Sequence, residues 1–286
     1  MPPSAWGHPP GIGTPMNQQA RFTPGQVERF HDRGWVVPDY RLPAAVLDEM
    51  RREYRQLLER NPGIRSDIML GPHLETPGAQ GVRGSRRWLE FATRPPLLDL
   101  AAQLIGEDIV LWGTTLFGKP ARSGKKTPWH QDGDYYPIEP LRTLTIWIAL
   151  DDVTPRNGPM RFIPGSHRER RIFPHHWEED DSLTINQVCD SEYFDSSTAQ
   201  PLLLEAGQMS FHDVYMIHGS EANATDRRRA AFIVRLMPAD CFYNHARGQA
   251  MAEPHQAHDY GRRPLFLVRG KDASGRNDFT VGHAAN

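Results

Sequence analysis

Apolar positions recur along this chain in two rhythms. Over the first third the spacing is helical. Thr23-Pro24-Gly25-Gln26 reads as a capping box with proline at the first helical position, and the helix it opens is expected to end near Gly34. Trp35-Val36-Val37 then reads as a short strand. From Pro43 onward Val46, Leu47, Met50, Tyr54, Leu57 and Leu58 recur at helical spacing, until Asn61-Pro62-Gly63 ends the run. Residues 62–85 hold five glycines and three prolines and read as a long loop. A third helix over 95–104 sets Leu97, Leu98, Ala101, Leu104 and Ile105 on one side.

Beyond residue 109 the rhythm becomes that of short strands. They are expected at 109–119, 141–150, 161–163, 202–204, 209–211, 215–218 and 230–236. The clearest has Leu144, Ile146, Ile148 and Leu150 alternating with Thr143, Thr145 and Trp147, so one face packs in a core and the other is more polar. Asn157-Gly158 and Pro164-Gly165 supply turns. Residues 168–200 carry little strand pattern and read as an excursion over a barrel mouth. The tail after Tyr243 is polar, with no clear pattern. Helices followed by many short strands predict a small helical layer packed on a β-barrel or sandwich.

Composition narrows the class. A chain of 286 residues can bury one full core, and no break in composition suggests two. With 38% hydrophobic and 24% charged residues it reads as globular. A net charge of −2 gives no reason to expect nucleic acid or a membrane surface. The excess of 29 Arg over 4 Lys reads as coding bias. Cys189 and Cys241 form neither a disulfide framework nor a CxxC pair, which fits a reducing cytoplasm. Residues 1–20 read as a flexible leader without an apolar signal-peptide core, and 21–286 as a single domain. No apolar run approaches membrane-spanning length. The expected partner is a small molecule, with the chain a monomer or homodimer.

Candidate chemistry gathers at His130-Gln131-Asp132 and at His218. In extended backbone His130 and Asp132 point to one side. His218 follows Asp132 by 86 residues, a spacing that suits another strand of the same barrel. Two imidazoles and a carboxylate that leave positions open are the facial triad of non-haem Fe(II) oxygenases. Catalytic Zn²⁺ can take the same set, so the triad alone leaves the metal open. His212-Asp213 competes with His218, but His218 directly ends the apolar run Val214 to Ile217; His212 reads as structural or as a neighbour of the ligands, and His167 as a turn residue. Arg229, in the run Arg227-Arg228-Arg229, could pair bidentately with a dicarboxylate such as 2-oxoglutarate, which favours an oxygenase.

Trp129-His130-Gln131-Asp132, the stretch Asn157-Gly158-Pro159-Met160-Arg161-Phe162-Ile163-Pro164-Gly165-Ser166-His167, and His218-Gly219-Ser220-Glu221-Ala222-Asn223 resemble the phytanoyl-CoA dioxygenase family of Fe(II)/2-oxoglutarate oxygenases. The resemblance runs over about 22–238, and three motifs in order and spacing make it specific. It implies a mainly β fold with flanking helices, a double-stranded β-helix (jelly-roll, cupin-like barrel) with its core at about 109–238. It also implies Fe(II) on His130, Asp132 and His218, with 2-oxoglutarate and O₂ as co-substrates. Arg229 falls at the family's arginine, eleven residues past His218; Ser220, Trp147 and Thr115 match positions near 2-oxoglutarate. Related halogenases have a small residue where Asp132 stands. The intact carboxylate therefore favours hydroxylation, although desaturation, ring closure and epimerisation use the same triad.

The family oxidises diverse molecules, so the resemblance does not name the substrate. Gln131, His73, Tyr135 and Arg83 are substrate candidates, with Tyr136 and Arg122 at the rim; Lys125 and Lys126 could meet a CoA phosphate. The segments 62–85 and 168–200 add Arg65, His175, His176, Phe173, Trp177, Tyr193 and Phe194 to the expected mouth. Such a lining suits a small polar or anionic metabolite, with a natural-product intermediate second and an acyl-CoA third. Two other classes compete: a metal-dependent hydrolase or isomerase on a cupin-like barrel, and a non-catalytic barrel that senses 2-oxoglutarate.

Overall fold

Local chemistry sets the first helix. The Thr23 hydroxyl accepts from the Gln26 amide at 3.2 Å and the Gln26 side chain accepts from the Thr23 amide at 2.9 Å, so α1 (Pro24–Arg33) starts on a closed capping box. Gly34, at φ 89°, ends it in the left-handed conformation. This computed structural model describes residues 20–76, 81–252 and 260–283; nearly all of the expected leader lies outside the described residues.

The chain continues through β1 (Trp35–Val36), α2 (Ala44–Arg60), β2 (Ile68–Leu70), α3 (Arg86–Ala92) and α4 (Pro95–Ile105). The strands then follow: β3 (Ile109–Lys119), β4 (Thr127–Gln131), β5 (Ile138–Glu139), β6 (Leu144–Ala149) and β7 (Met160–Phe162). Next come β8 (His175–Trp177), β9 (Gln187–Cys189), β10 (Gln200–Pro201), β11 (Met209–Asp213) and β12 (Ile217–Ser220). The chain closes with β13 (Arg229–Pro238), β14 (Phe242–Tyr243), α5 (His245–Ala252) and β15 (Phe266–Arg269).

Two sheets form a double-stranded β-helix. The major sheet runs β1-β11-β6-β13-β3-β15, with β2 also on β3; the minor sheet runs β10-β7-β12-β4. The outer face of the major sheet carries Leu116, Leu144, Ile146, Ile148, Phe232 and Val234, and the helices cover it with Leu47, Met50, Leu57, Trp88, Phe91 and Leu100. Each fully buried side chain of this size contributes roughly 1.5–3 kcal/mol. Alternation then turns Phe117, Lys119, Thr145, Trp147, Arg229, Ile233 and Arg235 into the barrel.

The more polar face of β6 is therefore not a solvent face. All six residues of the strand are buried, and Thr145 and Trp147 line the interior cavity. Residues 202–204 form an isolated bridge through Leu204 rather than a strand, and pairing in that region falls to β10. The long loop contains β2, paired with β3, and is followed by the seven-residue helix α3, too short to show periodicity. The tail carries regular structure: α5 follows Tyr243, and β15 extends the major sheet beyond β3. No helix among the described residues is long and apolar enough to cross a membrane.

Candidate metal and dicarboxylate site

Strands β4 and β12 of the minor sheet bring the two imidazoles together. They pair antiparallel with His218 opposite His130, and the ring centroids lie 4.2 Å apart. Asp132 opens a short 3-10 turn just past β4, which swings its carboxylate back toward His130; Nε2 of His130 lies 3.7 Å from Oδ1 of Asp132. One ligand atom from each of His130, Asp132 and His218 lies within 4.8 Å of the others, and all three residues are buried.

The neighbours of the triad fix its orientation. Nδ1 of His130 faces the Pro128 carbonyl at 2.8 Å, and Nδ1 of His218 faces the Met216 carbonyl at 2.9 Å. A carbonyl only accepts, so both Nδ1 atoms carry the proton and both Nε2 lone pairs are left for a metal. Burial, then His130, holds His218 well below the usual imidazole range, which keeps it neutral. Burial alone would raise Asp132, but the nearby His130 and His212 rings, 3.7 and 3.9 Å from its oxygens, and the Arg235 charge hold it well below the carboxylate range. Tyr135 donates to Oδ1 of Asp132 at 2.7 Å and Thr145 to Oδ2 at 3.3 Å. Two imidazoles with unbonded Nε2 atoms and one fixed carboxylate suit Fe(II) as a ligand set.

The triad lines a cavity whose empty space is about 560 Å³, part of it open to solvent. Arg229 lines the same cavity and is only 3% exposed. Its guanidinium lies 5.3 Å from the Trp147 ring, and Nη2 donates to the Gly158 carbonyl, while Nε has no partner among the described residues. Burial lowers its pKa to about 10, so it stays charged at neutral pH. Arg228 points to the opposite face of β13, where it pairs with Asp151 at 2.9 and 3.0 Å and lies over the Tyr54 ring. The register that selects Arg229 from the arginine run is thus the register of the sheet. Ser220 also lines the cavity.

Other expected site residues are placed elsewhere. Thr115 is buried and accepts from Nη1 of Arg235 at 2.6 Å; it does not line the cavity. Gln131 is fully buried and fully bonded: its amide nitrogen donates to the Arg171 and Tyr215 carbonyls, and its oxygen accepts from the Phe173 amide at 2.8 Å. It ties the 168–200 excursion to the barrel and has no atom left for a substrate. His73 sits behind β3, with Nδ1 2.8 Å from the Thr114 hydroxyl, facing a separate groove beside β15. Arg83 is exposed, held through its backbone by Asn61. Arg122 is exposed and paired with Asp226. Tyr135 is beside the site, but through Asp132.

Both long segments reach the mouth, through Arg65 among the expected residues and through Asp67 and Thr184 besides. Arg65 joins Asp67 to the Leu183 and Thr184 carbonyls, and Asp67 and Thr184 line the cavity. Phe173, Tyr193 and Phe194 instead pack with Trp129 and Ile217 in a cluster away from it. His175 bonds to the Phe173 carbonyl and the Gln131 amide, and exposed His176 pairs with Asp190.

Several lining residues were not expected from sequence. Lys119, Thr145 and Arg235 face the cavity; His212, expected as structural or as a neighbour of the ligands, lines it too, and its two ring nitrogens have no hydrogen-bond partner among the described residues. Period-two spacing was the available signal: Lys119 shares a strand face with Thr115, and Arg235 with Arg229.

Comparison with known proteins agrees with this geometry. The sequence model of the family described as phytanoyl-CoA dioxygenase (PhyH) matches residues 30–231. Human peroxisomal phytanoyl-CoA dioxygenase is 25% identical over 237 residues, covering 77% of this chain and 69% of the relative. L-proline trans-4-hydroxylase of Streptomyces griseoviridis is 29% identical over 231 residues, covering 72% and 83%. Among solved structures, the apo non-heme monooxygenase ThoJ superposes with a TM-score of 0.66 at 26% identity, covering 88% of this chain and 86% of that one. The fold, the converging triad and a family match across most of the chain place this protein in the phytanoyl-CoA dioxygenase family of Fe(II)/2-oxoglutarate-dependent oxygenases.

Proposed function

We propose that residues 21–286 form one oxygenase domain that hydroxylates an unactivated C–H bond of a small, polar, anionic metabolite. In this reading His130, Asp132 and His218 hold Fe(II), and Arg229, with Ser220 and Trp147 beside it, receives the distal carboxylate of 2-oxoglutarate. The carrying observation is one cavity with the triad on its wall and a buried arginine lacking any ion pair among the described residues.

Iron with 2-oxoglutarate and O₂ supplies the oxidising power when bound. The chain's own residues hold and shield it. Carbonyl-anchored imidazoles and the Tyr135 and Thr145 hydroxyls fix the ligand directions. The Arg65 clasp closes the two mouth segments over the cavity, which favours exclusion of water.

Arg235 supports an anionic substrate. It lines the cavity on the Asp132 side, and its guanidinium bonds to two neutral hydroxyls, those of Tyr136 and Thr115. Burial lowers its pKa, but Tyr136 and Asp132 outweigh it and keep the group charged. It makes no direct ion pair among the described residues, since the Asp132 carboxylate acts on it only at longer range, and a buried guanidinium so placed favours a further anion in the cavity. The similarity to a proline hydroxylase supports the same size class.

The test is a metabolite screen with the iron-loaded enzyme, reading succinate, O₂ uptake and product mass across amino acids, phosphonates, acyl-CoAs and polycyclic scaffolds. Gain of one oxygen atom on a small acid is expected. Stimulation by a long-chain acyl-CoA alone would overturn the substrate class.

A further inference from the structure

Lys119 and Arg229 stand opposite each other as antiparallel partners on β3 and β13, and both line the cavity. Each is 3% exposed. Like charges directly opposite in a sheet are destabilising, and burial removes the water that would screen them. Neither has an ion pair among the described residues. Lys119 donates to the Lys125 carbonyl and Arg229 to the Gly158 carbonyl. The nearby acids have other partners: Asp151 holds Arg228, Asp67 holds Arg65, and Glu221 lies 4.0 Å from Arg161.

The lysine is also held in place. A Cβ at Gly158 would come within 2.9 Å of the Lys119 Cδ, and one at Gly124 within 2.6 Å of its Cβ. Both glycines therefore let neighbouring backbone close on its stem. A buried lysine and arginine side by side in the cavity that holds the triad form a site for an anion, whose charge would favour protonation of both.

We propose that Lys119 is a second positioning residue for 2-oxoglutarate, sharing the distal carboxylate with Arg229. This rests on the reading of Arg229 given above. The guanidinium offers a planar fork and the ammonium a compact charge with rotatable donors, so both oxygens of one carboxylate can be satisfied. The charged groups facing Lys119 are Arg229 from β13, Glu221 beyond β12 and Asp67 before β2. Burial, then Arg229, lowers the Lys119 amine to about 6, so before the carboxylate binds the two cations are not both charged at neutral pH.

The test is calorimetric binding of 2-oxoglutarate, and of 2-oxobutyrate, which lacks the distal carboxylate, to the full chain with Zn²⁺ in place of iron. Lys119→Met should weaken 2-oxoglutarate by about tenfold or more and leave 2-oxobutyrate nearly unchanged, while Lys119→Arg should retain most of the affinity. Thermal melts check folding, and Lys119→Gln replaces the Met variant if that one does not fold. Wild-type affinity in the charge-removing variant, or equal loss for both oxo acids, would overturn the proposal. Arg229→Met separates the two claims. If it leaves 2-oxoglutarate binding intact, the parent reading fails; if it alone weakens binding, only the Lys119 assignment fails.

Discussion

Replacing Arg229 with Met tests the assignment of the co-substrate end of the cavity. Met keeps most of the apolar stem and removes the charge that lies over the Trp147 ring. The group is 3% exposed and stays protonated at neutral pH, so solvent screening offers little discount. Removing one partner of a desolvated charge pair costs about 2–5 kcal/mol. At about 1.4 kcal/mol per tenfold, the Kd for 2-oxoglutarate should rise roughly 30-fold to several thousandfold. Arg228→Met is the matched control, one residue away on the opposite face. It should leave that Kd unchanged and lower stability by about 1–3 kcal/mol, because it strips two charged hydrogen bonds from Asp151. Calorimetric titration of the Zn²⁺-substituted protein reads the first quantity and a denaturant melt the second. If Arg228→Met weakened 2-oxoglutarate and Arg229→Met did not, the register of β13 and the face assignment built on it would be wrong.

Four further outcomes follow from the same geometry. Ala at His130, Asp132 or His218 should abolish succinate formation while far-UV circular dichroism stays native, since the barrel core is apolar; full turnover of Asp132→Ala would refute the ligand set. Tyr135→Phe removes the donor to Oδ1 of Asp132 and should weaken metal affinity by about 10–100-fold, read by competition with a chromophoric chelator. Gln131→Leu leaves the Arg171 and Tyr215 carbonyls and the Phe173 amide without their partner, and should cost about 1–3 kcal/mol per buried group in a denaturant melt; unchanged stability would restore a substrate role for Gln131. Because Lys119 has a depressed pKa of about 6 and a bound carboxylate favours its charged form, binding takes up a proton. The Kd for 2-oxoglutarate should therefore rise with pH above about 6, and a flat profile in both wild type and Lys119→Met would contradict the shift.

Sequence legibility followed the type of constraint. Metal chemistry needs particular residues at particular spacings, so His130, Asp132 and His218 could be read directly, and sheet geometry turned Arg229 rather than Arg228 inward. Helices with a capping box, as α1, or a long apolar stripe, as α2 and α4, were equally legible. Short elements held by tertiary pairing were not: α3 shows too few turns for periodicity, and β15 forms because β3 offers an edge. The substrate side was less legible for a different reason. Gln131, His73 and Arg83 have side chains that could contact a substrate, yet each is accounted for by its position: Gln131 by three hydrogen bonds, His73 by Thr114, and Arg83 by solvent exposure. Lys119, Arg235 and Thr145 belong to no motif, and only strand alternation relates them to the cavity. In a barrel with helices on one face of the sheet and a cavity on the other, the apolar positions of the alternation meet the helices. The polar positions then point inward: Lys119 of β3, Thr145 of β6, and Arg229 and Arg235 of β13 all line the cavity.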